Sequence, residues 1–482
     1  IIPAGGYLIV WCDETQPATT NANAELNLGR SLAAEGEQIH LFDPDGQALD
    51  SVAFGFQLVD QSVGRTPEGW RLLAAPTPGR SNAAPAILGS TTHLHINEWM
   101  AAPVEGDDWF ELYNPAPLPV DLAGLFLTDD PSASGHTNSP IGPLTFVPPL
   151  GFVRWIADGQ TDKGPNHVNF SLDELGESLR LNAGLNNVID GIDYHRMPAG
   201  VSAGRWPDGA PDLVWFHETP TPAESNYLPH PAVVVHEVLT HTDPPLEDAI
   251  EVRNSSRQPV DLGGWFLSNQ ADALRRCRIP ANTIVPAEGF TVLYEILFNP
   301  HPAGTNNFTL NSAHGDTVYL SEADAEGRLT GYRAVARVGA AANGVSFGRV
   351  ETSLGVDWAP LSARTFGVDT PATLPQFRTG RGRTNAPPLV GPIVISEIMY
   401  HPVAGPANAL TETPDDEYLE LHNATAAPVP LYDPAHAANT WRIAGGIDYE
   451  FPMGVTLATG ETKWTRTYDQ GGPLASLAFA GE

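Results

Sequence analysis

Glutamates occur in pairs at matched places along the chain. Glu98, Glu237 and Glu397 each lie inside an apolar run, and Glu111, Glu251 and Glu420 each lie inside the next one. Two carboxyls at a suitable separation, one with a raised pKa, can act as acid and base or cleave a glycosidic bond. The same residues have a quieter role if they accept backbone donors at strand ends or face solvent. A catalytic pair duplicated with every domain, with no pocket motif beside it, argues for that quieter role. No catalytic residue is assigned.

Other residue types give weaker patterns. Ser-x-Gly-Arg recurs at Ser62–Arg65, Ser202–Arg205 and Ser346–Arg349. Its arginine could clamp a ligand carboxylate through two parallel bonds, but an internal pair with one of the repeated glutamates is the expectation. Acidic loops precede the glutamate-bearing runs: Asp107-Asp108, Glu247-Asp248 and Asp415-Asp416-Glu417. Ca²⁺ wants six to eight hard oxygens, of which such loops could supply several, yet none has the alternating spacing of a calcium loop. Asp43 to Asp50 begins like one, lacks the distal glutamate, and is read with the others as a solvated turn. Trp11, Trp155, Trp206, Trp265 and Trp358 could stack on sugars but are expected mostly in the core. His93 with His95, and His236 with His241, fit no zinc spacing. Phosphate-loop, Gly-x-Ser-x-Gly and HExxH signatures are absent. The reading assigns no cofactor-binding or metal residue, and Ca²⁺ is the one ion the acidic loops would suit.

The elements that carry these residues repeat. From Ala249 to Leu267, Ile250 and Val252 alternate with Glu251 and Arg253, as a half-buried strand would. Asn254-Ser255-Ser256 breaks it with turn-forming side chains, and Val260, Leu262, Trp265 and Leu267 resume around Gly263-Gly264, where a tight bend or positive φ is expected. Trp109 to Leu127 matches this stretch nearly position for position, and Tyr418 to Leu431 matches its first half. Around it each copy adds a lead run, a hairpin, the Ser-x-Gly-Arg marker and a close ending in Asn. The copies are residues 1–82 (second half only), 91–226, 232–385 and 393–482 (cut short at its end). The lead glutamates are roughly 140–160 residues apart, a whole domain rather than a solenoid unit. Each copy holds about seven short strands with turn signals, which favours a β-sandwich. Linkers at Ala83–Ser90, Tyr227–Pro231 and Ala386–Pro392 are short and proline-bearing, so they should act as semi-rigid spacers. The fourth copy replaces Gly-Gly-Trp by LYDPAHAANTWRI and should enter its next strand differently; the third carries an insertion placed at Gly355 to Arg378.

Composition bounds the partners. The formal charge is −32, with only Lys163 and Lys463 as lysines, which argues against a nucleic-acid partner. Gly and Pro are abundant, at 46 and 45 residues, while 42% of residues are hydrophobic, so the chain reads as folded and all-β. Cys12 and Cys277 sit at non-equivalent places in their copies, and no disulfide is expected. No apolar stretch approaches the ~20 residues of a membrane helix. The opening IIPAGGYLIVW and the end at Glu482, part-way through a copy, suggest an internal piece of a longer polypeptide.

The phrases ISEIMYHP, DDEYLELHN, VDLGGWFLS, VPAEGFTVLY, SFGR and TPTPAESN, in that order, resemble the lamin-tail domain as found in large bacterial secreted or surface proteins. The resemblance covers nearly the whole chain. It implies tandem immunoglobulin-like β-sandwich domains joined by short Pro-rich linkers, without catalytic residues, acting in attachment or scaffolding. The function expected is therefore a structural or adhesive repeat region, extracellular or at the cell surface, whose partner is a protein or a cell-surface polysaccharide. Two alternatives stand: an accessory flank of an enzyme whose spore-coat-type kinase or hydrolase domain lies beyond residue 482, or a carbohydrate-binding array.

Overall fold

A computed structural model describes residues 2–21, 25–132, 134–301, 304, 307–352, 355–399, 418–443 and 449–458, and the backbone alone of 462–466. The Asp415-Asp416-Glu417 loop lies outside the described residues. The chain forms two compact units, one of residues 1–342 with 366–383, the other of 343–365 with 384–482. The fold is all-β.

The second copy shows how alternation becomes a sandwich. Its lead strand, His95–Met100, pairs antiparallel with Trp109–Tyr113, and Phe152–Ile156, Ser202–Arg205 and Leu213–Phe216 complete a five-stranded sheet. The order across that sheet is Phe152–Ile156, Trp109–Tyr113, lead strand, Ser202–Arg205, Leu213–Phe216. A four-stranded sheet of Ser139–Pro140, Phe126–Thr128, Ser178–Asn182 and Val188–Asp193 supplies the other layer. Between the layers lie Trp99, Phe110, Trp155, Leu179 and Leu181, nearly all water-free. Each such side chain contributes about 1.5–3 kcal/mol by leaving water. The expected core role holds for Trp155 and Trp265, while Trp206 and Trp358 are half-buried and Trp11 stands 52% exposed.

Where the second strand ends, an asparagine clamps two loops in all three copies that have one. Asn254 Nδ2 donates to the carbonyls of Gln258 (2.7 Å), Val285 (3.3 Å) and Pro286 (3.1 Å), and its Oδ1 accepts from Ser256 N at 2.9 Å. Asn114 and Asn423 make the equivalent bonds. The sequence suggested a local turn; the side chain also ties that turn to a distant strand end.

Beyond the clamp, Gly264 adopts φ +92°, as the Gly-Gly-Trp bend requires, and Trp265 N returns to Leu262 O at 3.0 Å. Leu125 bonds back to Leu122 in the same way. The fourth copy does not enter its next strand differently: a hairpin of Tyr432–Asp433 and His436–Thr440 is inserted, after which Trp441 N reaches Leu431 O at 2.9 Å. The third copy's insertion also moves. Gly355–Pro360 is the hairpin partner of Phe347–Thr352, as Leu213–Phe216 is of Ser202–Arg205, so it belongs to the repeat. The extra residues follow Thr365, where Phe366 and Phe377 pack, fully buried, with Tyr294.

The linkers are not free spacers. Ala86 N donates to Leu72 O and Gly89 N to Pro119 O, both at 2.8 Å. Leu228–Pro229 adds a parallel strand beside Tyr332–Arg333 of the third copy's hairpin, and Leu389 N bonds Pro360 O at 2.7 Å. Proline stiffness is real, but backbone pairing fixes these segments.

Candidate functional site

The repeated glutamates converge on one polar cluster per copy, and a β-bulge builds it. The register shifts between Ile96 and Glu98, so Asn97 is the extra residue and Glu98 stands opposite Glu111. The same shift falls at Val235/Glu237 and at Ile395/Glu397. In a regular strand, neighbours face opposite sides of the sheet; the bulge draws Asn97 and Glu98 into one network. The residue before the lead glutamate then hydrogen-bonds the second glutamate. Asn97 Nδ2 reaches Glu111 Oε1 at 2.8 Å, His236 Nδ1 lies 2.7 Å from Glu251 Oε1, and Ser396 Oγ reaches Glu420 Oε1 at 2.5 Å.

In the second copy the cluster is closed on every side. Glu98 Oε1 accepts the hydroxyl of Ser202, the serine of Ser-x-Gly-Arg. Thr221, in the closing phrase, gives its N–H at 3.1–3.2 Å, and its Oγ1 lies 3.0 Å from Glu98 Oε2. Glu111 Oε2 accepts Ala223 N at 2.7 Å. Asp208 collects Ser225 Oγ (2.5 Å), Asn226 N (2.8 Å) and Asn97 Nδ2 (3.1 Å). Asn226 Nδ2 donates to Arg205 O at 2.9 Å and Asn97 O at 3.3 Å, and Asn82 and Asn385 give the same bond to Arg65 O and Arg349 O, each at 3.0 Å.

Glu98, Glu111 and Asn226 have no exposed surface. Burial pushes the Glu98 carboxyl up to about 7 and holds Glu111 well above the usual carboxylate range, with the Glu98 charge adding to it. Glu251 rises to about 9, first through burial and then through Glu237. Raised carboxyl pKa values do mark acid–base sites, yet here the oxygens are occupied by protein donors and the side chains meet no solvent. The arrangement ties the closing phrase to the first two strands; it does not present an acid to a substrate.

Arg205 and Arg65 pair internally, but with aspartates rather than the repeated glutamates. Arg205 Nη2 lies 3.0 Å from both oxygens of Asp190 in the hairpin, with Nε on Ile96 O and Nη1 on Ala210 O, each at 2.9 Å. Arg65 pairs with Asp50 in the equivalent hairpin. Ser202 and Arg205 are three residues apart, an odd number, so a strand sends them to opposite faces. The serine takes the glutamate and the arginine reaches the hairpin.

The two described acidic loops, Asp107-Asp108 and Glu247-Asp248, are anchors rather than solvated turns. Asp108 accepts Leu172 N at 3.1 Å and Asp248 accepts Leu310 N at 3.2 Å, each pinning the loop after the edge strand. Burial lifts them to about 6 and about 7 respectively. Glu247 pairs with Arg378 through two 2.6 Å bonds. Beside Asp107 and Asp108 lies an open cleft of about 390 Å³, whose Asp158 is held by Lys163 at 2.9 Å and His167 at 3.1 Å. Asp43 accepts Asp45 N and Gln47 N and closes its own hairpin tip. Among the described residues no group of three or more His, Cys, Asp or Glu converges as a metal would require.

Two antiparallel sheets packed face to face, with a close tied back over the lead strand, define a β-sandwich class. Residues 229–340 match the family model of the Lamin Tail Domain, so this segment is a lamin tail domain, an immunoglobulin-like fold. Neither a curated protein nor a solved structure matches the chain.

Proposed function

We propose that the chain is a structural or adhesive repeat region of a larger secreted or cell-surface bacterial protein, serving as scaffold or spacer. The observation that carries this reading is the fate of the repeated polar residues: in the second copy the two glutamates, the serine, the arginine and the closing asparagine are all engaged by partners within the fold. Parts of this arrangement recur: the bulge contact to the second glutamate in the third and fourth copies, and the closing-asparagine bond in the first and third. A charge of −32 suits a soluble extracellular chain whose partner is a protein or a surface polysaccharide.

The test is a paired assay on the purified chain. Panels of glycans, phosphoesters and peptides should show no turnover, while protease treatment of intact cells of the source organism should remove the chain from the surface. Turnover that disappears in Glu98→Gln or Glu237→Gln would end the scaffold reading, and protection from protease on intact cells would end the surface location.

A further inference from the structure

The hydrogen-bond geometry around Thr221 fixes a proton. Asn226 Nδ2 faces the carbonyls of Arg205 and Asn97, so its Oδ1 must face Thr221 Oγ1, 3.0 Å away. Thr221 Oγ1 also lies 3.0 Å from Glu98 Oε2. A hydroxyl has one hydrogen. If Glu98 were ionised, Asn226 Oδ1 and Glu98 Oε2 would compete for that single hydrogen; Oε2 would keep only the Thr221 amide it shares with Oε1, and one close pair of acceptor oxygens would stand unbridged in a site with no exposed surface. A proton on Glu98 resolves the conflict: Oε2–H donates to Thr221 Oγ1, whose hydrogen goes on to Asn226 Oδ1, while Oε1 keeps Ser202 and the Thr221 amide spans both carboxyl oxygens.

We propose that Glu98 is protonated in the folded protein and that its proton is the latch of a strap, Thr219–Asn226, which ionisation of Glu98 releases together with the joint to the third copy. The strap leads straight into that joint. Thr219 Oγ1 bonds Tyr227 O at 2.8 Å, Tyr227 lies under the Arg333 guanidinium at 4.5 Å, and Leu228–Pro229 pairs with Tyr332–Arg333. Trp206 Nε1 bonds Gly331 O at 2.8 Å across the same joint.

The charged surroundings set the direction. Facing Glu98 are Glu111 from the second strand and Asp208 from the turn after Ser202–Arg205. Burial raises the Asp208 carboxyl above its usual range, against which its three donors and then Arg333 of the third copy act. Glu224, within the strap, also faces Arg333 and Arg337. Arg205 is spent on Asp190, with His95 3.6 Å from that carboxylate. Among the described residues a second ionised carboxylate beside Asp208 and Glu111 would therefore have no cation of its own, and burial pushes Glu98 up to about 7. The third copy repeats the outer half of the wire, with Thr365 Oγ1 3.3 Å from Asn385 Oδ1.

Amide hydrogen exchange of the full chain tests the latch. After division by the intrinsic exchange rate, exchange at 219–230 should rise about tenfold or more between pH 5.5 and pH 8.5. In Glu98→Gln the amide N–H replaces the proton, so the strap should stay protected at both pH values. Thr221→Val breaks the wire and should leave the strap open at both. Equal pH dependence in wild type and Glu98→Gln would overturn the proposal, as would a wild-type strap unaffected by pH or a Thr221→Val strap protected like wild type at pH 5.5.

Discussion

Glu98 and Glu111 stand opposite each other in adjacent strands, both fully buried, and each accepts hydrogen bonds from neutral donors only, among the described residues. Two like-charged groups so placed, without a cation in contact, cannot both ionise cheaply. The pair consequently makes the fold sensitive to base rather than to acid.

The stability of the chain should fall as pH rises. Carboxyls whose folded pKa is raised contribute stability that is complete below their unfolded pKa and lost as pH passes the folded one. For Glu98 that window runs from the ordinary glutamate value of 4.5 to about 7, and for Glu251 from 4.5 to about 9. Each represents on the order of 3 kcal/mol or more. Urea midpoints at pH 6 and pH 9.5 check this, and a midpoint that does not fall at pH 9.5 would refute it.

Arg205 should show the opposite dependence. Although burial opposes ionisation of Asp190, its partners hold the carboxyl below the usual range. The pair's contribution is thus present above the unfolded aspartate pKa and fades as pH falls through the folded one. Arg205→Gln should cost about 3–5 kcal/mol at neutral pH, because it strands a largely buried carboxylate. The difference from wild type should shrink in acid; a penalty that stays constant down to pH 3 would count against the pairing.

Asn254→Ala removes three donated bonds and one accepted bond from a residue with no exposed surface. Leaving those buried carbonyls unmet should cost about 2–4 kcal/mol. Asn254→Asp keeps the shape but not the donors and should be no better. Denaturation midpoints of the three proteins decide whether the clamp matters.

Gly264→Val should cost about 1–3 kcal/mol, since φ +92° strains a β-branched residue. Crowding is not the cause: the nearest atom to an added Cβ is Arg278 Nη2, 3.6 Å away. Gly264→Asn should therefore recover part of the loss. An unchanged melting temperature for the valine variant would show the bend to be ordinary.

Residues 91–226 expressed alone should fold cooperatively but melt below the same segment in the whole chain. Isolation strips Trp206 of its bond to Gly331 and of its ring contact with Tyr332, 4.9 Å between centroids. The deficit should be about 1–3 kcal/mol, and Trp206→Ala in the whole chain should reproduce most of it. Identical melting of the free and embedded segment would make the copies independent.

Alternation and repetition in the sequence determined the class of fold, the sandwich, the bend at Gly263-Gly264 and the internal use of the arginines. These are local matters: a period of two assigns a buried face, and glycine marks a left-handed residue. The tertiary structure alone decided which partner each polar residue takes. A one-residue bulge at Asn97 rotates neighbouring side chains into one cluster, and no periodicity predicts where a strand gains a residue. Strand order set Ser202–Arg205 beside the lead strand, more than a hundred positions away in the chain, so the serine met the glutamate and the arginine met Asp190. The linkers read as stiff spacers because proline stiffens a chain locally. Their pairing with Pro119, Tyr332 and Pro360 depends on surfaces brought near only by folding.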